Sequence, residues 1–250
     1  MSAQRPTALV TGASQGIGAA IAVQLAQRGY DVAVSSTRPE KLSEVTAQVT
    51  KAGGRAVSVA LDVCSSSSIA EAMKEVLRAF GQLDVLVNNA GIPLKKPAVE
   101  ITPEEWDRII RTNMTGTFFM SQEMAKHLLG TKRPGCIINI ASTHGLVGLP
   151  ERAAYSVAKG AVIHMARVLA VEWAAHGIRV NAVVPGRVDT PSRAGSLAEP
   201  GYRDMALNRI PLRRFATAEE VAAAVCYLAS PQAAYVTGQA LVLDGGLTAQ

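Results

Sequence analysis

Seven short apolar runs, separated by stretches of helical spacing, constrain this chain more than any other feature. They are TALVTG at 7–12, DVAVSS at 31–36, AVSVALDV at 56–63, LDVLVNNAG at 83–91, CIINIAS at 136–142, IRVNAVVPG at 178–186 and ALVLDGG at 240–246. Each is apolar on both faces, as in a parallel sheet covered by helices on both sides. Between the first two, residues 16–28 carry Ile17, Ala20, Ile21 and Leu25 at helical spacing.

This βαβα rhythm predicts an α/β fold: a doubly wound, seven-stranded parallel sheet of Rossmann type with helices on both faces. The 250 residues suit one domain over 1–250. Helix starts are marked by Thr102-Pro103-Glu104-Glu105, by Thr217 with Glu220 and by Ser68 with Glu71. The run Ser65–Ser68 reads as a loop ending in that last cap. Long helices are expected near 103–128 and 153–175. Residues 187–213, rich in Arg, Gly, Ser and Pro, read as a mobile loop over the substrate, with a short helix near 201–208.

Net charge is +5, but the basic residues are scattered; Lys95-Lys96 and Arg213-Arg214 are pairs, not runs. No zinc-finger spacing or basic heptad occurs, so nucleic acid is not an expected partner. Cys64, Cys136 and Cys226 are odd in number and widely spaced, which argues against a metal site or a disulfide framework. MSAQRPTALVTG is too short and polar for a signal peptide, and no apolar run reaches the ~18 residues that span a bilayer. The expectation is a cytoplasmic protein with no membrane partner.

The first strand-to-helix turn reads Thr11-Gly12-Ala13-Ser14-Gln15-Gly16-Ile17-Gly18. Glycines let the backbone turn tightly and approach a pyrophosphate, and a helix N-terminus offers free N–H groups and a positive dipole end. Tyr155 and Lys159 lie four apart, on one face if helical. A free phenol with a pKa of ~10 is a poor acid at neutral pH, and a nearby ammonium favours its phenolate.

These motifs occur together with NNAG at 88–91, Ser142 at the end of the fifth run and PG at 185–186. The combination resembles the short-chain dehydrogenase/reductase family over essentially the whole chain, and is most similar to 3-oxoacyl-acyl-carrier-protein reductases. That resemblance implies an NAD(P)-dependent oxidoreductase acting on a carbonyl or secondary alcohol. It implies Tyr155 as the acid, Lys159 as its tuner and a ribose contact, Ser142 as the substrate-orienting hydroxyl and Asn113 as a member of a water-linked proton relay. Cofactor contacts would come from Gly12, Ser14, Gln15, Gly16, Ile17 and Gly18, then Asp62 and Val63 at the adenine. Asn89, Ala90 and Gly91 would border the ribose and nicotinamide, and Pro185, Gly186, Val188 and Thr190 the carboxamide. Asn89 could equally serve as a structural turn, and Asp62 and Thr190 as plain polar residues.

NAD-preferring relatives usually hold an acid where Ser36 stands. Here Ser36, Thr37 and Arg38 follow the second strand, so NADP(H) is favoured over NAD(H). The substrate, a small molecule or an acyl thioester, would meet Ile92, Leu94, His144, Arg152 and Val184; Arg152 could face a carboxylate. Docking of an acidic carrier would use Arg133, although His176 stands where a second arginine would help. The resemblance also implies a homotetramer, with no metal. The rival class is a non-catalytic dinucleotide sensor, which tends to lose the tyrosine or lysine retained here.

Overall fold

The computed structural model describes residues 5–190 and 201–249. In chain order the first half runs β1 (Thr7–Val10), α1 (Gly16–Gln27), β2 (Asp31–Ser36), α2 (Ser43–Lys51), β3 (Ala56–Ala60), α3 (Ser66–Phe80) and β4 (Val85–Asn88). The second half runs α4 (Pro103–Ile110), α5 (Gly116–Thr131), β5 (Gly135–Ile140), α6 (Ala153–Trp173), β6 (Ile178–Pro185), α7 (Tyr202–Asn208), α8 (Ala218–Ala229) and β7 (Ala240–Leu243). All seven strands pair in parallel, in the order β3-β2-β1-β4-β5-β6-β7. The order reverses between β1 and β4, and a doubly wound sheet opens a crevice at the carboxyl ends of the strands at such a point.

Strand side chains alternate between two cores. Ala8, Val10, Val32, Val34, Val85 and Val87 face one way and pack with Ile21, Leu25, Val45, Val49 and Val221 of α1, α2 and α8. Leu9, Ala33, Leu86, Ile137 and Val180 face the other way and pack with Met73, Met120, Met124, Val162 and Ala166 of α3, α5 and α6. A smaller cluster, Ile109, Ala154 and Ala158 with Ile92 and Leu94, joins α4 to α6 beside the crevice. The two edge strands are less covered: β3 and β7 each keep only partial burial over most of their length.

Thr102 and Thr217 cap α4 and α8 with reciprocal bonds to Glu105 and Glu220. The third cap differs from its expected place. Ser65 caps α3 by accepting from the Ser68 N–H, and Ser66–Ser68 already form the first turn. The Ser68 hydroxyl instead accepts from the Asp62 N–H, and Glu71 pairs with Lys74 on the surface. With several serines in succession, the one carrying extended backbone takes the cap.

The helix expected over 103–128 is interrupted by a π turn at Arg111–Thr115. Such a turn inserts an extra residue into the ladder and is often found at functional sites. Residues 191–200 of the expected substrate loop lie outside the described residues. Flanking them, Val188 bridges to Ala216, and α7 forms at Tyr202–Asn208.

Ala153–His176 is long and apolar enough to cross a membrane by length and composition alone. It does so by mixing apolar with polar residues, so no unbroken apolar run announced it. Its buried side, including Ala158, Val162, Ala166 and Leu169, packs in the protein interior.

Candidate active site

A cavity of about 670 Å³ opens at the carboxyl ends of the central strands. One half is made mostly of backbone. Gly12 and Gly16 adopt φ of +63° and +60°, conformations that side chains disfavour. A Cβ on Gly12 would sit 2.8 Å from the Ala90 Cα, and one on Gly18 would sit 2.6 Å from both Asn89 Nδ2 and the Gly12 carbonyl oxygen. The turn therefore lies directly against the 89–91 segment.

Hydrogen bonds hold that contact. The Thr11 hydroxyl accepts from the N–H groups of Asn89 and Ala90, each at 3.0 Å. The Asn89 amide donates to the carbonyls of Thr11 and Gly12, each at 2.9 Å. Asn89 thus fills its structural role with its side chain while its segment also lines the cavity.

Helix α1 starts at this turn with no side-chain cap and no acidic residue in its first turn. Its N–H groups and positive dipole end suit an anionic phosphate. Ser14, Gln15 and Ile17 complete this wall, and Thr190 touches the Gly16 side. Asp62 and Val63 line the cavity beyond β3, Pro185 lines it at the last position of β6, and Gly186 and Val188 line it just beyond. The arrangement fits a dinucleotide: a glycine cradle, an uncapped helix end and a long groove across the sheet.

At the end of β2, Ser36 and Thr37 line the cavity. Arg38 does not. Its N–H closes onto the Ser36 hydroxyl at 3.1 Å, the chain turns at Pro39, and its side chain remains exposed. Among the described residues, Ser36 ends β2 and Thr37 follows it at the cavity, with no carboxylate at either position.

The other half of the cavity is built from side chains. Ser142 ends the segment after β5, is buried, and its hydroxyl accepts from the His144 N–H at 3.2 Å. Tyr155 and Lys159 lie on α6 and both line the cavity. Lys159 Nζ is 5.8 Å from the centroid of the Tyr155 ring and donates to the Ile140 carbonyl at 2.7 Å. Burial lowers the Lys159 pKa to about 8. Gly145 fixes the spacing of these groups. A Cβ there would meet the Lys159 carbonyl carbon at 2.6 Å, so the turn after Ser142 presses directly on α6.

His144 stands edge-on to Tyr155, with ring centroids 5.7 Å apart at 83°. Arg152 lines the same end and donates to the Leu94 carbonyl at 3.1 Å.

Asn113 is fully buried in the π turn. Its Oδ1 accepts from the Ile92 N–H, and its Nδ2 donates to the carbonyls of Ile92 and Ile109. The side-chain amide is thus committed to holding the 91–92 segment. Gly91 passes between it and Lys159, where a Cβ would sit 2.6 Å from Asn113 Oδ1 and 3.6 Å from Lys159 Nζ.

Two expected lining residues are placed elsewhere. Leu94 packs with the Ile109 cluster and offers only its carbonyl, and Val184 is fully buried in the main core. Leu149, Pro93, Thr112 and Arg187 line the cavity without having been singled out. They come from loops and a helix turn, where no periodic signal marks them. Arg133 is ion-paired with Asp84 at 2.7 Å just before β5, and His176 just before β6. Both lie at the opposite end of the sheet from this chain's cavity. Among the described residues, no three His, Cys, Asp or Glu side chains gather to hold a metal.

Residues 12–248 match the family model described as Enoyl-(Acyl carrier protein) reductase. The 3beta-hydroxysteroid dehydrogenase 1 of Eggerthella lenta is 39% identical over 243 residues, covering 97% of this chain and 93% of that protein. The 3-oxoacyl-acyl-carrier-protein reductase of Staphylococcus epidermidis is 39% identical over 242 residues, covering 96% and 98%. A candidate 2-deoxy-D-gluconate 3-dehydrogenase from Agrobacterium tumefaciens, solved with bound NADP, superposes with a TM-score of 0.91 at 37% identity, covering 100% and 98%. With a family model matched over residues 12–248, relatives of this identity along nearly its whole length and a superposing fold, the chain belongs to the short-chain dehydrogenase/reductase family, oxidoreductases acting on alcohol and ketone groups.

Proposed function

We propose that the protein is an NADP(H)-dependent ketoreductase, similar to the 3-oxoacyl reductases, that moves a hydride between nicotinamide and a carbonyl or secondary alcohol. One observation carries this reading. A phenol, a hydroxyl and a buried amine share a cavity that continues into an uncapped, glycine-lined helix start. The bound nicotinamide supplies or accepts the hydride. Ser142 donates a hydrogen bond to the substrate oxygen. Tyr155 gives that oxygen its proton in reduction and removes it in oxidation. The Lys159 cation stabilises the charge left on the phenol. Since the Asn113 amide is committed to Ile92 and Ile109, its share in a proton relay falls to its main-chain carbonyl, which also accepts from the Thr117 hydroxyl.

For the cofactor, Asp62 and Val63 would hold the adenine, the Gly12–Gly18 turn the pyrophosphate, and Val188 and Thr190 the carboxamide. Ser36 and Thr37 would receive a 2′-phosphate. The NADP-bound relative supports that choice. The exposure of Arg38 favours a second reading, an NAD-dependent dehydrogenase of a small alcohol or sugar. Assembly as a homotetramer in the cytoplasm completes the proposal. Phe119 on α5 and Val157, Val168 and Val171 on α6 are exposed, apolar and available to a partner copy.

The test is oxidation of NADPH and of NADH with an acetoacetyl thioester, followed by nicotinamide absorbance. Faster turnover with NADPH, measured as kcat/KM, is the expected result. No turnover of the thioester, with oxidation of small alcohols or sugars by NAD+ in preference to NADP+, would overturn the first reading in favour of the second.

A further inference from the structure

The charged side chains that line the cavity are unevenly distributed. Asp62, on the cofactor side, is the one carboxylate among the described lining residues; Arg152, Lys159 and Arg187 are cations. Of these, Lys159 is fixed to Ile140 and serves the phenol. Arg152 takes no part in the proton or hydride transfer, and its setting supports the expectation from sequence that it faces a carboxylate.

Its setting is specific. Arg152 immediately precedes α6 and lies three residues before Tyr155, about 4.5 Å along a helix axis. Positions so spaced share a face. Arg152 is half-buried, and its guanidinium donates to the neutral carbonyl of Leu94. Arg5, Arg133 and Arg214, in contrast, each pair with a carboxylate, Asp31, Asp84 and Glu220 respectively. The adjacent Glu151 does not neutralise it, because that carboxylate pairs with Lys95 on the exterior. The Lys96 N–H donates to the Glu151 carbonyl at 2.9 Å, so two backbone-directed bonds tie 94–96 to 151–152. Arg152 is therefore held in place rather than waving from the surface.

A guanidinium held by one carbonyl keeps its remaining donors for a planar or tetrahedral anion. We infer that Arg152 selects ketones and alcohols that carry an anionic group, a carboxylate or a phosphate-like oxyanion, a few bonds from the reacting carbon. This deepens the proposed hydride-transfer reading and rests on it. It keeps the hydride-transfer chemistry of that reading but replaces its acyl thioester by a small anionic ketone or alcohol, since a long acyl thioester has no charge at that distance. The reaction itself is unchanged: hydride joins the carbonyl carbon, and the Tyr155 proton joins its oxygen.

The experiment compares acetoacetate, 2-oxopropylphosphonate and methyl acetoacetate as substrates of the NADPH-loaded enzyme. Arg152→Gln should lower the ratio of kcat/KM for the anionic ketones to that for the ester roughly 10- to 100-fold, the range of a charge-assisted hydrogen bond. The loss should lie in KM, because the contact exists before and during the transition state. Arg152→Lys should recover part of the ratio, and the carboxylate and phosphonate arms tell which anion fits better. An unchanged ratio in both variants would overturn the inference. If neither these three ketones nor an acetoacetyl thioester oxidises NADPH, the hydride-transfer reading fails separately. Acetoacetate binding to the enzyme–NADPH complex, read by NADPH fluorescence, then decides: Arg152-dependent binding sustains the inference, and its absence overturns it. Arg152→Lys keeps the charge and can reach Leu94, so it serves if Arg152→Gln does not fold.

Discussion

The two halves of the cavity are built in different ways. The cofactor half is a backbone construction: positive-φ glycines, a helix end without a cap, and a strand turn pressed against its neighbour at van der Waals limits. The substrate half is a side-chain construction, with Ser142, His144, Arg152 and Tyr155 projecting from a turn and from one helix. Backbone geometry tolerates few residue types, whereas side chains on a fixed frame can be exchanged. The first half should fail by steric exclusion, the second by graded loss of chemistry.

The largest effect should come from Lys159, which joins the halves. Lys159→Met should lower kcat by about 10²- to 10⁴-fold, the range for a group that assists proton transfer. The same variant should be more stable than wild type at neutral pH when free of cofactor. A lysine whose folded pKa of about 8 lies below its unfolded value of 10.5 binds fewer protons folded than unfolded. The penalty is full below pH 8, is lost progressively as pH rises to 10.5, and amounts to on the order of 3 kcal/mol. Losing the bond to Ile140 returns about 1 kcal/mol of that. Urea denaturation from pH 7 to 10.5 should therefore show the stability advantage of Lys159→Met shrinking as pH rises. A constant or growing advantage would contradict the desolvation argument.

Next in size is Gly18→Ala. Its Cβ would meet Asn89 Nδ2 and the Gly12 carbonyl oxygen at 2.6 Å, and neither can retreat without opening the turn. NADPH affinity should fall roughly 100-fold, since overpacking costs about 1–3 kcal/mol and more where backbone must move. Affinity within twofold of wild type in a fluorescence titration would show that the cradle yields.

This contrast explains what could be read from the chain. All seven strands and the glycine turn were legible because repeated backbone demands leave periodic and positional marks. Tyr155, Lys159 and Ser142 were legible as a spaced set. The interruption at Arg111–Thr115 was not: a π turn depends on where Asn113 finds partners, namely Ile92 and Ile109, and only one of those is nearby in sequence. Leu94 was expected at the cavity, yet its side chain packs with the Ile109 cluster. The Ser65 cap and the outward turn of Arg38 at Pro39 were likewise decided by local backbone geometry.

The smallest effect should be at Arg38. An exposed cation outside the cavity wall contributes little to a screened interaction, so Arg38→Ala should weaken NADPH binding only about two- to fivefold, with NADH unaffected. A loss of a hundredfold would mean that the arginine swings onto the 2′-phosphate.

The central claim is that Tyr155 moves the proton while the glycine-built half independently holds the cofactor. Tyr155→Phe tests it most directly, with NADPH affinity and turnover of an acetoacetyl thioester measured on the same protein. The account predicts turnover down by at least about 10²-fold, with NADPH affinity within about threefold of wild type. Turnover that survives the loss of the hydroxyl would contradict it.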